Sequence, residues 1–86
     1  MINFNETKVI KDIKLNKETI RNFDLSAVEL IDINNVRYQG HFIIKNERTR
    51  CKYLLLPFNN YFTSYAFSLS HIKSIKHLTN NVAIER

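Results

Sequence analysis

Three histidines (His41, His71, His77), one cysteine (Cys51) and the neighbouring pair Ser70-His71 are the side chains that could bind a metal or activate a nucleophile. A structural zinc site needs four ligands in close, paired spacings. These candidates are scattered and include a single thiol, so no metal is expected. Adjacent residues in a strand or turn send their side chains apart, which separates Ser70 from His71 as nucleophile and base. Between Ile33 and Ile84 the sole carboxylate is Glu47, and a two-carboxylate mechanism has no second member there. One glycine in the chain excludes a glycine-rich phosphate loop. The expectation is no enzyme, no catalytic residue and no cofactor.

What the chain does concentrate is positive charge. Its formal net charge is +5. Through Asp32, five basic residues stand against six acidic ones. From Ile33 to Ile84 there are seven basic residues (Arg37, Lys45, Arg48, Arg50, Lys52, Lys73, Lys76) and one acidic residue. A field of this sign favours phosphate backbones or acidic protein surfaces. Two aromatics, Tyr61 and Phe62, lie in the polar stretch Asn59 to Ser64. They would either stack on unpaired bases or fold back to plug the end of a small barrel.

Gathering these cations requires extended chain. Val36 to Lys45 alternates, with Val36, Tyr38, Gly40, Phe42 and Ile44 on one side and Arg37, Gln39, His41, Ile43 and Lys45 on the other. A strand with this period has one apolar and one basic face. A two-residue turn at Asn46-Glu47 would set Lys45 opposite Arg48, Ile43 opposite Arg50 and His41 opposite Lys52. Like charges facing across strands cost up to about 1 kcal/mol per pair. A chain that keeps them is expected to spend them on phosphate or carboxylate, unless they serve only to keep a strand edge soluble. The candidate binding residues are Arg37, His41, Lys45, Arg48, Arg50, Lys52, Tyr61 and Phe62. Cys51 shares the side of Tyr53 and Leu55 and reads as a small core residue.

Around this centre, Ser26 to Ile33 reads as a strand ending at Asn34-Asn35, a plausible site for a tight turn because asparagine tolerates positive φ. Thr49 to Leu56 is the next strand, closed by Pro57. Tyr65 to Leu69 alternates as a further strand. Ser70 to Ile72 looks like one turn, Lys73 to Leu78 like a fifth strand, and Val82 to Ile84 could add a last short piece. Upstream, Asn16 before Lys17-Glu18-Thr19-Ile20 resembles a helix cap with an acidic first turn, and a helix over Lys17 to Phe23 would place Ile20 and Phe23 on one side. Val9, Ile10 and Ile13 fit another helical turn, and Val9 to Leu15 fits a short extended piece. The expected architecture is mainly β: an N-terminal helical segment (1–24), a five-stranded Sm-like or SH3-like barrel (26–78) and a tail (79–86).

An 86-residue chain that is 44% hydrophobic and 24% charged, with one glycine and one proline, fits a single globular domain. The opening residues are too polar for the apolar core of a signal peptide. The longest apolar run, Tyr53 to Phe58, is far short of the roughly 20 residues a membrane helix needs. A lone cysteine suits a reducing compartment, so a soluble cytoplasmic protein with no membrane partner is expected.

Two stretches are similar to the Sm-like family, the small barrels that include bacterial Hfq. Val28 to Gly40 gives a strand, a short Asn-containing turn and a strand with a hydrophobic-x-Gly step, in the order of the family's first motif. Tyr65 to Leu78 resembles its second motif, a short strand, a one-turn linker and a last strand. Where Hfq-type proteins carry Tyr-Lys-His, this chain has Ser68-Leu69-Ser70, so the uridine pocket is not carried over. Lys52 to Leu56 and Phe67 to Ile75 also resemble the closing half of WYL domains, ligand-sensing barrels of the same kind, with Ser70-His71 where those have Asp-Arg. Both likenesses imply a small barrel.

The function expected from these residues is a non-catalytic binding module that engages nucleic acid, RNA or DNA, through phosphates. The alternative is a small phage or mobile-element inhibitor or adaptor, anti-CRISPR-like or immunity-protein-like, docking on an acidic protein surface. An exposed strand edge would also let the sheet extend into a second copy.

Overall fold

The computed structural model describes residues 6–60 and 62–86. Its seven strands are β1 (Lys8–Lys14), β2 (Ser26–Asp32), β3 (Arg37–Asn46), β4 (Cys51–Pro57), β5 (Tyr65–Phe67), β6 (Ile72–His77) and β7 (Val82–Glu85). They form one sheet in the order β1-β7-β6-β2-β3-β4-β5. Every neighbouring pair is antiparallel except β1 with β7.

The mainly-β class holds, with three corrections. The N-terminal segment is a strand followed by one short 3₁₀ turn, Thr19–Phe23, with no α-helix among the described residues. The stretch 79–86 is not a tail, because β7 lies between β6 and β1. The five expected strands are β2 to β6, and they are contiguous in the order β6-β2-β3-β4-β5, but β7 and β1 continue the sheet past β6. The result is an open seven-stranded sheet, not a five-stranded barrel. The physical cause is a non-local offer of hydrogen bonds: β6 presents a free edge to β7, and β7 presents its second edge to β1. Residue 86 fastens this end, since its N–H donates to the Lys73 carbonyl and the Arg86 guanidinium donates to the carbonyls of Ile72 and Leu69.

The alternation is realised within β3, although Val36, expected on the apolar side, lies before the strand and is exposed. Phe42 is fully buried and Gly40 buried, whereas Arg37, Gln39, His41 and Lys45 are exposed. Across the sheet the same face carries Val28, Leu30, Tyr53, Leu55, Ile75 and Ile84, all buried. Leu15, Ile20 and Phe23 close over it. Asn16 shapes the approach to the 3₁₀ turn but does not cap a helix: its Oδ1 accepts from the N–H groups of Glu18 and Thr19, each at 2.9 Å, while Glu18 holds the cap position without a side-chain bond, and Ile20 and Phe23 face inward. Each such side chain contributes about 1.5–3 kcal/mol on burial. Cys51 is half-buried against this core.

Two local features aim β3. At its start Asp32 Oδ1 accepts from the N–H groups of Asn34 and Val36, and Asn35 takes a positive φ of 64°. That is the turn chemistry expected of asparagine. In its middle, Gly40 lies against β4 so closely that a Cβ would stand 2.2 Å from the Leu56 carbonyl oxygen and 2.9 Å from Pro57 Cα. No side chain fits between these two backbones.

Candidate nucleic-acid interface

The sequence-level pairing of β3 with β4 has the right parity and the wrong register. The loop is 47–50, closed by Glu47 N–H donating to the Arg50 carbonyl at 2.9 Å, and Asn46 is opposite Cys51. Lys45 therefore faces Lys52, Ile43 faces Leu54 and His41 faces Leu56. The two expected oppositions of cation or histidine, Lys45 with Arg48 and His41 with Lys52, shrink to one, Lys45 with Lys52. Arg48 and Arg50 lie in the loop, off the strands. The shift is by an even number of residues, which leaves the buried face intact and so carries no burial penalty.

What results is a cationic hairpin end. Lys45, Arg48, Arg50 and Lys52 are all exposed there. Its one carboxylate, Glu47, bridges to Lys52 Nζ at 3.1 Å and eases the Lys45–Lys52 opposition. Both partners are nearly half exposed, so the bridge contributes no more than about 1 kcal/mol. Among the described residues no carboxylate comes within ion-pair distance of Lys45, Arg48 or Arg50. Because β5 is only three residues long, β4 runs past it, and a groove of about 470 Å³ opens beside Lys45, Arg50, Lys52, Tyr53, Phe67 and Ser68. Burial, then the neighbouring Cys51, pushes the Tyr53 phenol above its usual pKa. It therefore stays protonated at neutral pH and adds no negative charge to the groove.

The other proposed site residues lie elsewhere. Arg37 is at the far end of β3, where its Nη1 is 3.9 Å from Glu29 Oε1. Glu29 is buried and accepts from Gln39 Nε2 at 2.8 Å, with Lys76 Nζ at 3.6 Å. In that group both cations have the same carboxylate, Glu29, within ion-pair distance. His41 is midway, on the same outer face of β3, in an edge-to-face contact with Phe58 at 5.0 Å between ring centroids. Phe62 does not plug the sheet; it is wholly exposed (101%) in the loop after β4. Tyr61 lies outside the described residues.

Three outer-face residues were missed by sequence reasoning: Leu54, Leu56 and Phe58. Ile43, Leu54 and Leu56 are half-buried on the face away from the core. The signal was present in Tyr53-Leu54-Leu55-Leu56, which is apolar at consecutive positions and so must be apolar on both faces of its strand.

Comparison with known proteins finds no family model, no curated protein and no solved structure that matches this chain. No helix of the described residues is long and apolar enough to cross a membrane.

Proposed function

We propose that this chain is a non-catalytic binding module that takes the phosphates of a nucleic acid on the β3–β4 hairpin end. One observation carries the reading: four exposed cations lie on one hairpin end that holds a single carboxylate, with Lys45 directly opposite Lys52. Opposed like charges repel one another, and an incoming phosphate relieves that repulsion while releasing its own counterions. The Sm-like resemblance lends support, since a strand, an asparagine turn and a glycine-bearing strand occur in sequence as β2 and β3, and β5, one 3₁₀ turn (Leu69–His71) and β6 follow the order of the second motif.

The test is charge reversal with Arg48→Glu and Arg50→Glu, read by anisotropy with labelled RNA and DNA at low salt. Binding should be lost. Melting temperature should stay close to wild type, because exposed loop substitutions usually change stability by no more than about 0.5 kcal/mol. Wild-type protein that binds neither nucleic acid at low salt would overturn the reading. A protein partner retained after nuclease digestion would instead point to an acidic protein surface, as for an inhibitor or immunity protein.

A further inference from the structure

We infer that the nucleic acid is single-stranded and lies along the outer face of β3 and β4, with its phosphates at the hairpin end and its bases on an apolar track leading away from it. This rests on the phosphate reading above and adds the class of ligand and its path. The track is set by the register. Lys45 and Lys52 are followed, two residues on in each strand, by Ile43 and Leu54, and then by His41 and Leu56. Phe58 stands beside His41, edge to face, and is itself 37% exposed. Phe62, wholly exposed, belongs to the loop at this same end.

Three features favour a single strand. First, the outer face of β3, β4 and β5 carries no carboxylate: its residues run Arg37, Gln39, His41, Ile43 and Lys45 on β3, with Lys52, Leu54, Leu56 and Ala66 opposite. Along these strand positions the charges are positive, and the nearest carboxylates are Glu47 in the hairpin loop, bridged to Lys52, and Glu29 on β2, beside Arg37 and Gln39. Second, apolar and aromatic side chains lie between and beyond those charges. A duplex presents phosphates outward and hides its bases, so it would leave these side chains uncovered. A single strand brings an unpaired base face to each, and such faces stack on aromatic rings without regard to sequence. Third, the dimensions suit. Lys45 to His41 is four residues of strand, roughly 14 Å at 3.4 Å each, which matches the two or so bases that a small sheet surface typically holds.

The experiment compares a labelled oligothymidylate with a mixed-sequence duplex of the same length, both at low salt, on wild type and on Phe58→Ala and His41→Ala. Wild type should bind the single strand about tenfold or more tighter than the duplex. Each alanine variant should weaken single-strand binding by about fivefold or more without altering duplex binding or the salt dependence. His41 is exposed, so its variant decides the matter if Phe58→Ala lowers the melting temperature. Equal affinity for the two ligands, with both variants at wild-type strength, would overturn the track and leave the cationic hairpin standing. Failure of both ligands to bind wild type would instead remove the phosphate reading itself.

Discussion

Two groups of cations share the outer face of this sheet, and they differ in what they are paired with. On β2, β3 and β6, Lys76 and Arg37 surround the buried Glu29, with Gln39 donating to the same carboxylate. At the β3–β4 hairpin, Glu47 bridges Lys52 alone, and among the described residues no carboxylate is within ion-pair distance of Lys45, Arg48 or Arg50. The first group has its counter-charge built in, and Lys76 is largely withdrawn from water, its side chain only 15% exposed. The second leaves its charge facing solvent. Residue type is the same in both places, so charge count alone cannot tell a structural cation from one available to a ligand. Burial and the nearest carboxylate do.

The strongest way to break this comparison is to disturb the backbone that separates the groups. Gly40 lies between Arg37 and Lys45 on β3, and Gly40→Ala drives a Cβ into the backbone of Leu56 and Pro57. Neither atom is the tip of a movable side chain. The expected cost is about 3 kcal/mol or more, read by denaturant unfolding, with both hairpin binding and core order lost together. A variant as stable as wild type would mean that β3 and β4 are farther apart than described.

Next in size is Glu29→Ala. It strands Lys76 in a poorly hydrated place and deprives Gln39 of its acceptor, which should cost about 1–3 kcal/mol. The matching change at the other group, Glu47→Ala, should cost less than about 1 kcal/mol and should tighten phosphate binding by removing the local negative charge. Equal losses at the two sites would erase the distinction between them.

A smaller effect comes from acid and acts on the core beneath the sheet. His77 stacks on Phe23 with ring centroids 4.0 Å apart. Desolvation by burial holds its pKa below the usual 6.5, partly offset by a backbone hydrogen bond at Asn22. The neutral ring is thus favoured in the folded chain, and the unfolded chain binds more protons between the lowered value and 6.5. Stability from this site is fully present above pH 6.5 and is lost as pH falls through that window. Melting temperature should therefore drop modestly from pH 7.5 to 5.5, and His77→Phe, which keeps the ring stack, should remove that part of the slope. An unchanged slope in His77→Phe would assign it elsewhere.

Much of this arrangement could be read from the chain, and the missing parts share a cause. The faces of β3 were legible because Phe42 and Gly40 alternate with His41 and Gln39, and a period of two admits one solution. The register of β4 was not. Asn46 to Arg50 is polar throughout and has no glycine to fix a turn type, so loops of two and four residues satisfy the burial pattern equally. Val9, Ile10 and Ile13 carry both helical and extended spacings, and the choice between them was made by β7, more than seventy residues away in sequence. Local pattern decided faces; distant edges decided pairing. For the candidate site, the sequence put Lys45 and Lys52 on one face but set Lys45 against Arg48 and Lys52 against His41, and the four-residue loop is what brings the two lysines opposite each other. That Arg37 has a buried partner in Glu29 became visible only when β2 was set beside β3.

The central claim is that the hairpin cations, and not those around Glu29, meet phosphate. Its most direct test is the salt dependence of single-strand binding. With four cations and one opposing carboxylate, about three phosphates should be neutralised, giving a slope of log affinity against log salt between about −2 and −3. That slope should flatten towards zero in the Arg48→Glu, Arg50→Glu protein and stay unchanged in Arg37→Gln. A flat wild-type slope, or a slope that falls in Arg37→Gln and survives the loss of Arg48 and Arg50, would contradict the account.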